Sequence, residues 1–312
     1  MPEPGTPRRG VVLGCGGTLG FAWSAVALAG LEQTLDWDVR TAEVLVGTSA
    51  GAEMAAALGS GRSTAQVLAA LDGEPGAEPV LAAHLAIHPG MVPPVPAPAL
   101  PRPRAVAAGV RRGDPLAALA GLAPRGRGDA TWLRDFGDAL AGPDGWVAHP
   151  ATWLVAADAG TGERVAFGSP GAPTATLGEA IAASWGIPGW FPPVPIAGRR
   201  YLDGGAVSTG SADLLARLGL DEVVVIAPMT TAGGLPARGL ARAERLLRSP
   251  MTKVLDREVA LLEQQGTRVI RIEPGATELA AMGPNFMDLR RVPATLAAAR
   301  AAVPVTIERA LA

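Results

Sequence analysis

The sequence predicts an α/β protein of three layers, with helices on both sides of a mainly parallel central sheet. Val11 to Leu13 is a short apolar run that ends in glycines, and a small-residue helical pattern follows from Gly20 to Leu31. Glu43 to Val46 repeats the unit, with Gly47-Thr48-Ser49-Ala50-Gly51 as the turn and an Ala-rich helix to about Leu58. Strand, turn and helix in succession require crossover connections, and crossovers make neighbouring strands parallel. Trp153 to Ala157, Arg164 to Phe167, Arg199 to Leu202, Glu222 to Ala227 and Arg268 to Ile272 read as the remaining strands. Helical patterns cover Leu177 to Trp185, the region around Leu240 to Gln264 with a kink at Pro250, and Pro293 to Leu311 with a bend or break at Pro304. Ile187 to Pro195 reads as a turn rich in proline and aromatic residues.

For a chain of 312 residues this is one domain over 10–312, with a core at 10–211 and an insertion over 74–129. Seven prolines between Pro89 and Pro103 and the arginines Arg102, Arg104, Arg111 and Arg112 set the insertion apart. It is either a loosely ordered surface excursion or a cap over a substrate pocket.

Hydrophobic residues make up 48% of the chain and charged ones 18%, which excludes global disorder. A formal net charge of -2 leaves no overall basic field, so nucleic acid is not the expected partner. Lys253 is the only lysine, and with 40 Gly and 29 Pro the composition follows the bias of a GC-rich genome, so positions carry more information than counts. The single cysteine, Cys15, excludes an intramolecular disulfide and a multi-cysteine metal site. Met1 to Gly10 does not read as a secretion signal, and no apolar run approaches the roughly 20 residues of a membrane span. The expectation is a cytoplasmic protein whose contact with membrane, if any, is peripheral.

Three motifs carry chemistry. Gly47-Thr48-Ser49-Ala50-Gly51 is G-x-S-x-G between a strand and a helix, the setting in which a sharp turn exposes a nucleophilic serine. Taken alone it also reads as a turn whose serine caps the helix. Gly14-Cys15-Gly16-Gly17-Thr18-Leu19-Gly20 fails the dinucleotide spacing, because Leu19 stands where G-x-G-x-x-G needs its last glycine. Its consecutive amides can instead converge on one anionic oxygen, although a plain tight turn is the simpler alternative. Asp203-Gly204-Gly205 ends a strand, where a carboxylate can take a proton from a serine or merely make a turn.

In this order, each at a strand end, the motifs resemble those of the patatin-like phospholipases, and Ala180 to Pro193 is similar to that family's approach to its aspartate. The resemblance implies lipid acyl hydrolysis without metal or organic cofactor. Ser49 would be the nucleophile, Asp203 the general base of a Ser-Asp dyad, and the Gly16 and Gly17 amides the oxyanion donors. Cys15, Gly20, Gly47, Gly51, Gly204 and Gly205 complete the motifs. Cys15 replaces the usual first glycine of the loop, and Leu19 stands where many members carry Arg or Lys.

The histidines bear on the alternative. None of His84, His88 and His149 follows Asp203, so a Ser, acid, His order using Asp203 is excluded, leaving only a triad with another acid before His149. His84 and His88 are spaced like a metal pair but have no obvious third ligand. Trp185, Trp190 and Phe191 are core residues by default, or else line an acyl-chain entrance or a lipid interface. Three further readings stay open: an acyltransferase on the same site, a Rossmann-type nucleotide binder and a catalytically silent lipid-binding protein.

Overall fold

In a computed structural model of the chain, residues 7–87, 89–231 and 241–312 are described; His88 and Leu240 lie outside them. The chain opens with β1 (Arg9–Leu13), α1 (Gly17–Leu35), β2 (Val44–Thr48) and α2 (Ala50–Gly59). Five helices follow: α3 (Thr64–Leu71), α4 (Pro79–Leu85), α5 (Pro103–Arg112), α6 (Pro115–Leu122) and α7 (Thr131–Leu140). Then come β3 (Thr152–Asp158), β4 (Arg164–Phe167), α8 (Leu177–Ser184), β5 (Val194–Ile196) and β6 (Arg199–Asp203). The chain closes with β7 (Glu222–Ile226), α9 (Ala241–Gln264), β8 (Arg268–Ile272), α10 (Ala276–Met282) and α11 (Val292–Leu311).

The sheet runs β5-β6-β3-β2-β1-β7-β8, with β4 paired to β3. The five strands β3, β2, β1, β7 and β8 are mutually parallel, and β4, β5 and β6 join antiparallel at one side. Alternate residues of the central strands face opposite layers, as a period of two requires. Val11, Leu13, Leu45, Val224 and Ile226 pack into a core that includes residues of α1, α2, α8 and α11. Val12, Val44, Val46, Val223 and Val225 pack on the other side against Leu255, Val259 and Leu262 of α9. Burial on both faces explains near-continuous apolar runs such as that of β7, which reads Glu-Val-Val-Val-Ile.

From β1 the order moves outward through β2 and β3 in one direction and through β7 and β8 in the other. The carboxyl ends of β1, β2 and β7 therefore flank the switch point of the sheet, where open α/β sheets leave a crevice for ligands. The glycine loop leaves β1 there, and Ser49 follows β2 immediately.

The insertion is more regular than its proline content suggests. Pro79, Pro103 and Pro115 each sit in the first turn of a helix, where a missing N–H costs nothing. At the far end α9 continues through Pro250 and α11 runs through Pro304 without a break. Pro304 is on the exposed side of α11, so the carbonyl of Arg300 that loses its intrahelical donor can turn to water. The stretch read as a Pro-aromatic turn contains the short edge strand β5, with Pro195 exposed at its centre.

Candidate active site

Strand β3 brings Ser49 and Asp203 together. Val155 pairs with Thr48 of β2 and Ala156 pairs with Asp203 of β6, while both residues also pair with β4. A strand has two edges, so β2 and β6 share the edge opposite β4. β2 runs parallel to β3 and β6 antiparallel, and their carboxyl ends consequently meet head to head beside Val155 and Ala156. Gly204 lets the ends approach: a Cβ there would lie 2.6 Å from the Val155 carbonyl oxygen.

Ser49 sits at φ 57° and ψ −121°, a conformation disfavoured for any residue with a side chain. The following helix α2 fits tightly under β1, since a Cβ on Gly51 would lie 2.0 Å from the Leu13 carbonyl oxygen. Gly51→Ala should therefore cost about 3 kcal/mol or more, visible as a lower urea midpoint at unchanged slope. Ser184, the last residue of α8, braces the turn. Its Oγ accepts the Ser49 N–H at 2.8 Å and donates to the Val155 carbonyl at 2.6 Å, fully buried. Ser184→Ala would orphan both groups, and roughly 1–3 kcal/mol per group is the expected loss of stability. A fall in kcat at unchanged KM on a soluble ester would report the loosened elbow. Sequence reasoning assigns Ser184 no role; its polarity inside the apolar run Ala180 to Trp185 is the one available signal.

Asp203 is buried, and burial lifts its carboxyl to about 7 even though the Gly205 N–H that bonds to it and the nearby Ser49 hydroxyl favour the ionised form. The Gly205 N–H donates to Oδ1 at 2.7 Å. An aspartate base would ordinarily stay ionised well below pH 6, and here desolvation overrides that expectation.

In the loop after β1, the Gly14 N–H is taken by the Ile226 carbonyl at 2.8 Å and the Cys15 N–H by the Thr209 carbonyl at 2.9 Å. The Leu19 N–H goes to the Phe286 carbonyl at 3.0 Å, and Gly20 donates to Gly16 at 2.9 Å. Among the described residues the Gly16 and Gly17 amides have no hydrogen-bond partner. Gly17 has φ +56°, and a Cβ there would lie 2.5 Å from the Phe286 ring. The segment around Thr209 is anchored to α9, where Glu258 accepts from the Ser208 hydroxyl at 2.6 Å and the Ala212 N–H at 3.0 Å.

Cys15 is buried, and desolvation followed by the nearby Asp203 charge pushes its thiol far above the ordinary range, which disfavours a thiolate nucleophile. Leu19 faces the core with no exposed surface, so that position offers no head-group contact.

Ser49, Asp203, Gly16 and Gly17 line one cavity of about 330 Å³, with apolar walls from Leu116 and Leu119 of α6 and from Met229 and Met251. The insertion thus borders the site through α6. A larger cavity of about 510 Å³ holds Glu53, His84, Trp132 and Trp185 but neither Ser49 nor Asp203, so size alone misplaces the chemistry. His84 Nε2 lies 2.8 Å from Glu53 Oε1, and its ring stacks on Phe136. His149 bonds the Ala42 carbonyl through Nε2 at 2.8 Å, near the amino ends of β2 and β3 and so at the opposite end of the sheet from Ser49. His149 is thus remote from Ser49, and His84 lines a cavity that does not include it. Trp185, Trp190 and Phe191 are buried at 1%, 7% and 2% exposure; Ile187 and Pro188, not these rings, line the Ser49 cavity. No group of three or more metal-ligating side chains occurs among the described residues.

No curated protein matches the chain. Residues 138–216 match the family model described as patatin-like phospholipase, a stretch from the end of α7 through β3, α8 and β6 that includes Ser184, Asp203, Gly204 and Gly205. The resemblance seen in the motifs is borne out over this segment: residues 138–216 match the patatin-like phospholipase model, and the chain has the mainly parallel three-layer fold which that family implies.

Proposed function

We propose that the chain is a serine hydrolase of carboxylic esters, acting on the acyl bonds of lipids through a Ser49-Asp203 dyad. The observation that carries this reading is the head-to-head meeting of β2 and β6, which brings a strained serine and a buried carboxylate to one apolar cavity. The family match supports the lipid acyl hydrolase class.

In acylation the Ser49 oxygen attacks the ester carbonyl while its proton passes to Asp203. Negative charge then develops on the former carbonyl oxygen, toward the unpartnered Gly16 and Gly17 amides at the start of α1. Collapse expels the alcohol, which takes the proton from Asp203 and leaves an acyl-Ser49 ester. Water, deprotonated by Asp203, releases the acid and restores the serine. The apolar walls suit an acyl chain, and α6 acts as the cap above it. A nucleotide in the β1 loop is disfavoured because the Gly14 and Cys15 amides are already engaged by Ile226 and Thr209.

A fluorophosphonate probe is expected to label the folded protein on the peptide that carries Ser49. Labelling at another residue, or none in protein shown to be folded, would sink the proposal and favour a silent lipid binder.

A further inference from the structure

Within the 74–129 insertion, the part beyond Glu74 and Glu78 and before Asp129 carries a charge imbalance that the mechanism does not use. Residues 86–128 contain Arg102, Arg104, Arg111, Arg112, Arg125 and Arg127 against one carboxylate, Asp114, in a chain whose formal net charge is -2. Asp114 is buried and its carboxylate caps α6, accepting from Leu116 and Ala117. Among the described residues none of the six arginines pairs with a carboxylate.

Several of these charges gather at the carboxyl end of α6. The Arg102 guanidinium reaches the Ala120 and Ala123 carbonyls, and Ala97 pairs with Arg125 in an isolated antiparallel bridge. Burial, and then the charge of Arg200 nearby, lowers the Arg102 pKa, so Arg102 and Arg200 stand close together on this side of the protein. Large apolar side chains stand in water among them: Val95 is 82% exposed, Leu100 89%, Leu119 60% and Leu122 52%. Leu119 also lines the Ser49 cavity, which places this surface at the cavity mouth.

Unpaired arginines interleaved with exposed aliphatic side chains match a surface that offers phosphates above hydrocarbon. A nucleic acid would satisfy the arginines but leave Val95, Leu100 and Leu122 in water. We propose that the 86–128 part of the insertion docks the protein on an anionic lipid bilayer and opens the Ser49 cavity toward the membrane. The proposal rests on the lipid reading of that cavity and names the surface from which it is fed.

The test is co-sedimentation of the full chain with vesicles of phosphatidylcholine alone or mixed with phosphatidylglycerol, with hydrolysis of a soluble short-chain ester measured in parallel. The wild type should pellet with the anionic vesicles, less so as salt rises, and hardly with the neutral ones. Arg125→Glu with Arg127→Glu should weaken this partition roughly tenfold or more. Val95→Asp with Leu100→Asp should weaken it too, and both pairs should keep the wild-type rate on the soluble ester. Equal binding to both vesicle types, or anionic binding untouched by the arginine reversals, overturns the proposal. So does retention on nucleic acid without vesicle binding. Charge-dependent vesicle binding by a protein that hydrolyses no ester upholds the docking surface and sinks the hydrolase reading instead.

Discussion

Ser49→Ala is expected to lower the rate on a soluble ester roughly 10⁴-fold or more, since removing a nucleophile removes the covalent route itself. Circular dichroism and the thermal midpoint should stay near those of the wild type, because alanine keeps the Cβ and with it the strained backbone of the elbow. Ser49→Gly makes a sharper comparison. At φ 57° and ψ −121° glycine is free of the steric penalty that serine bears, so this variant should be equally inactive yet more stable, by about 1 kcal/mol or more. A raised midpoint for glycine and an unchanged one for alanine would show that the fold holds the serine against its own preference. Activity within tenfold of wild type in either variant would remove Ser49 from the chemistry.

The legibility of this arrangement in the sequence is uneven for physical reasons. The central strands are readable because burial on both faces makes them short, continuous apolar runs such as Glu222–Ile226, and the less buried edge strands Arg164–Phe167 and Arg268–Ile272 also fall where the pattern puts them. The turns at Ser49 and Asp203 are readable because close backbone approach demands glycine, and glycine leaves a mark in the sequence. What glycine marks cannot show is which turns face each other. That depends on β6 entering antiparallel beside β3, an element pairing with no local signature. The texture of the insertion misleads because proline breaks a helix in its interior but starts one in its first turn, and Pro79, Pro103 and Pro115 all do the latter. Ser184 stays hidden because its partners, the Ser49 amide and the Val155 carbonyl, are backbone groups distant in sequence. Burial of Asp203 is likewise invisible in the sequence, and with it the shift that governs its pH behaviour.

Asp203→Asn should remove nearly all activity, roughly 10³-fold or more, because an amide cannot accept the serine proton at neutral pH. In the wild type, kcat/KM should rise with pH through an inflection near 7, where the buried carboxyl ionises. That value also falls in the range of histidine, so the inflection alone does not identify the base. Replacing His84, His88 and His149 by Gln, singly, resolves the ambiguity, because the position of an inflection does not depend on how much of a variant is folded. All three profiles should keep it.

Stability gives an independent readout of the same carboxyl. Its folded pKa, about 7, lies above the ordinary carboxylate value of about 3.9 expected when unfolded. Between these values the folded state holds a proton that the unfolded state has released, so stability falls as pH rises through the window and the loss is complete above 7. An asparagine side chain in its place would carry no charge at any of these pH values and could still accept the Gly205 N–H. Asp203→Asn should therefore be more stable than the wild type at pH 8, with the difference shrinking as pH drops toward 4. Thermal midpoints of the two proteins across that range test the burial, and rates on a soluble ester test the base. An inflection that vanishes with one histidine while Asp203→Asn stays active would pass the proton to a different residue and leave Ser49 as the nucleophile.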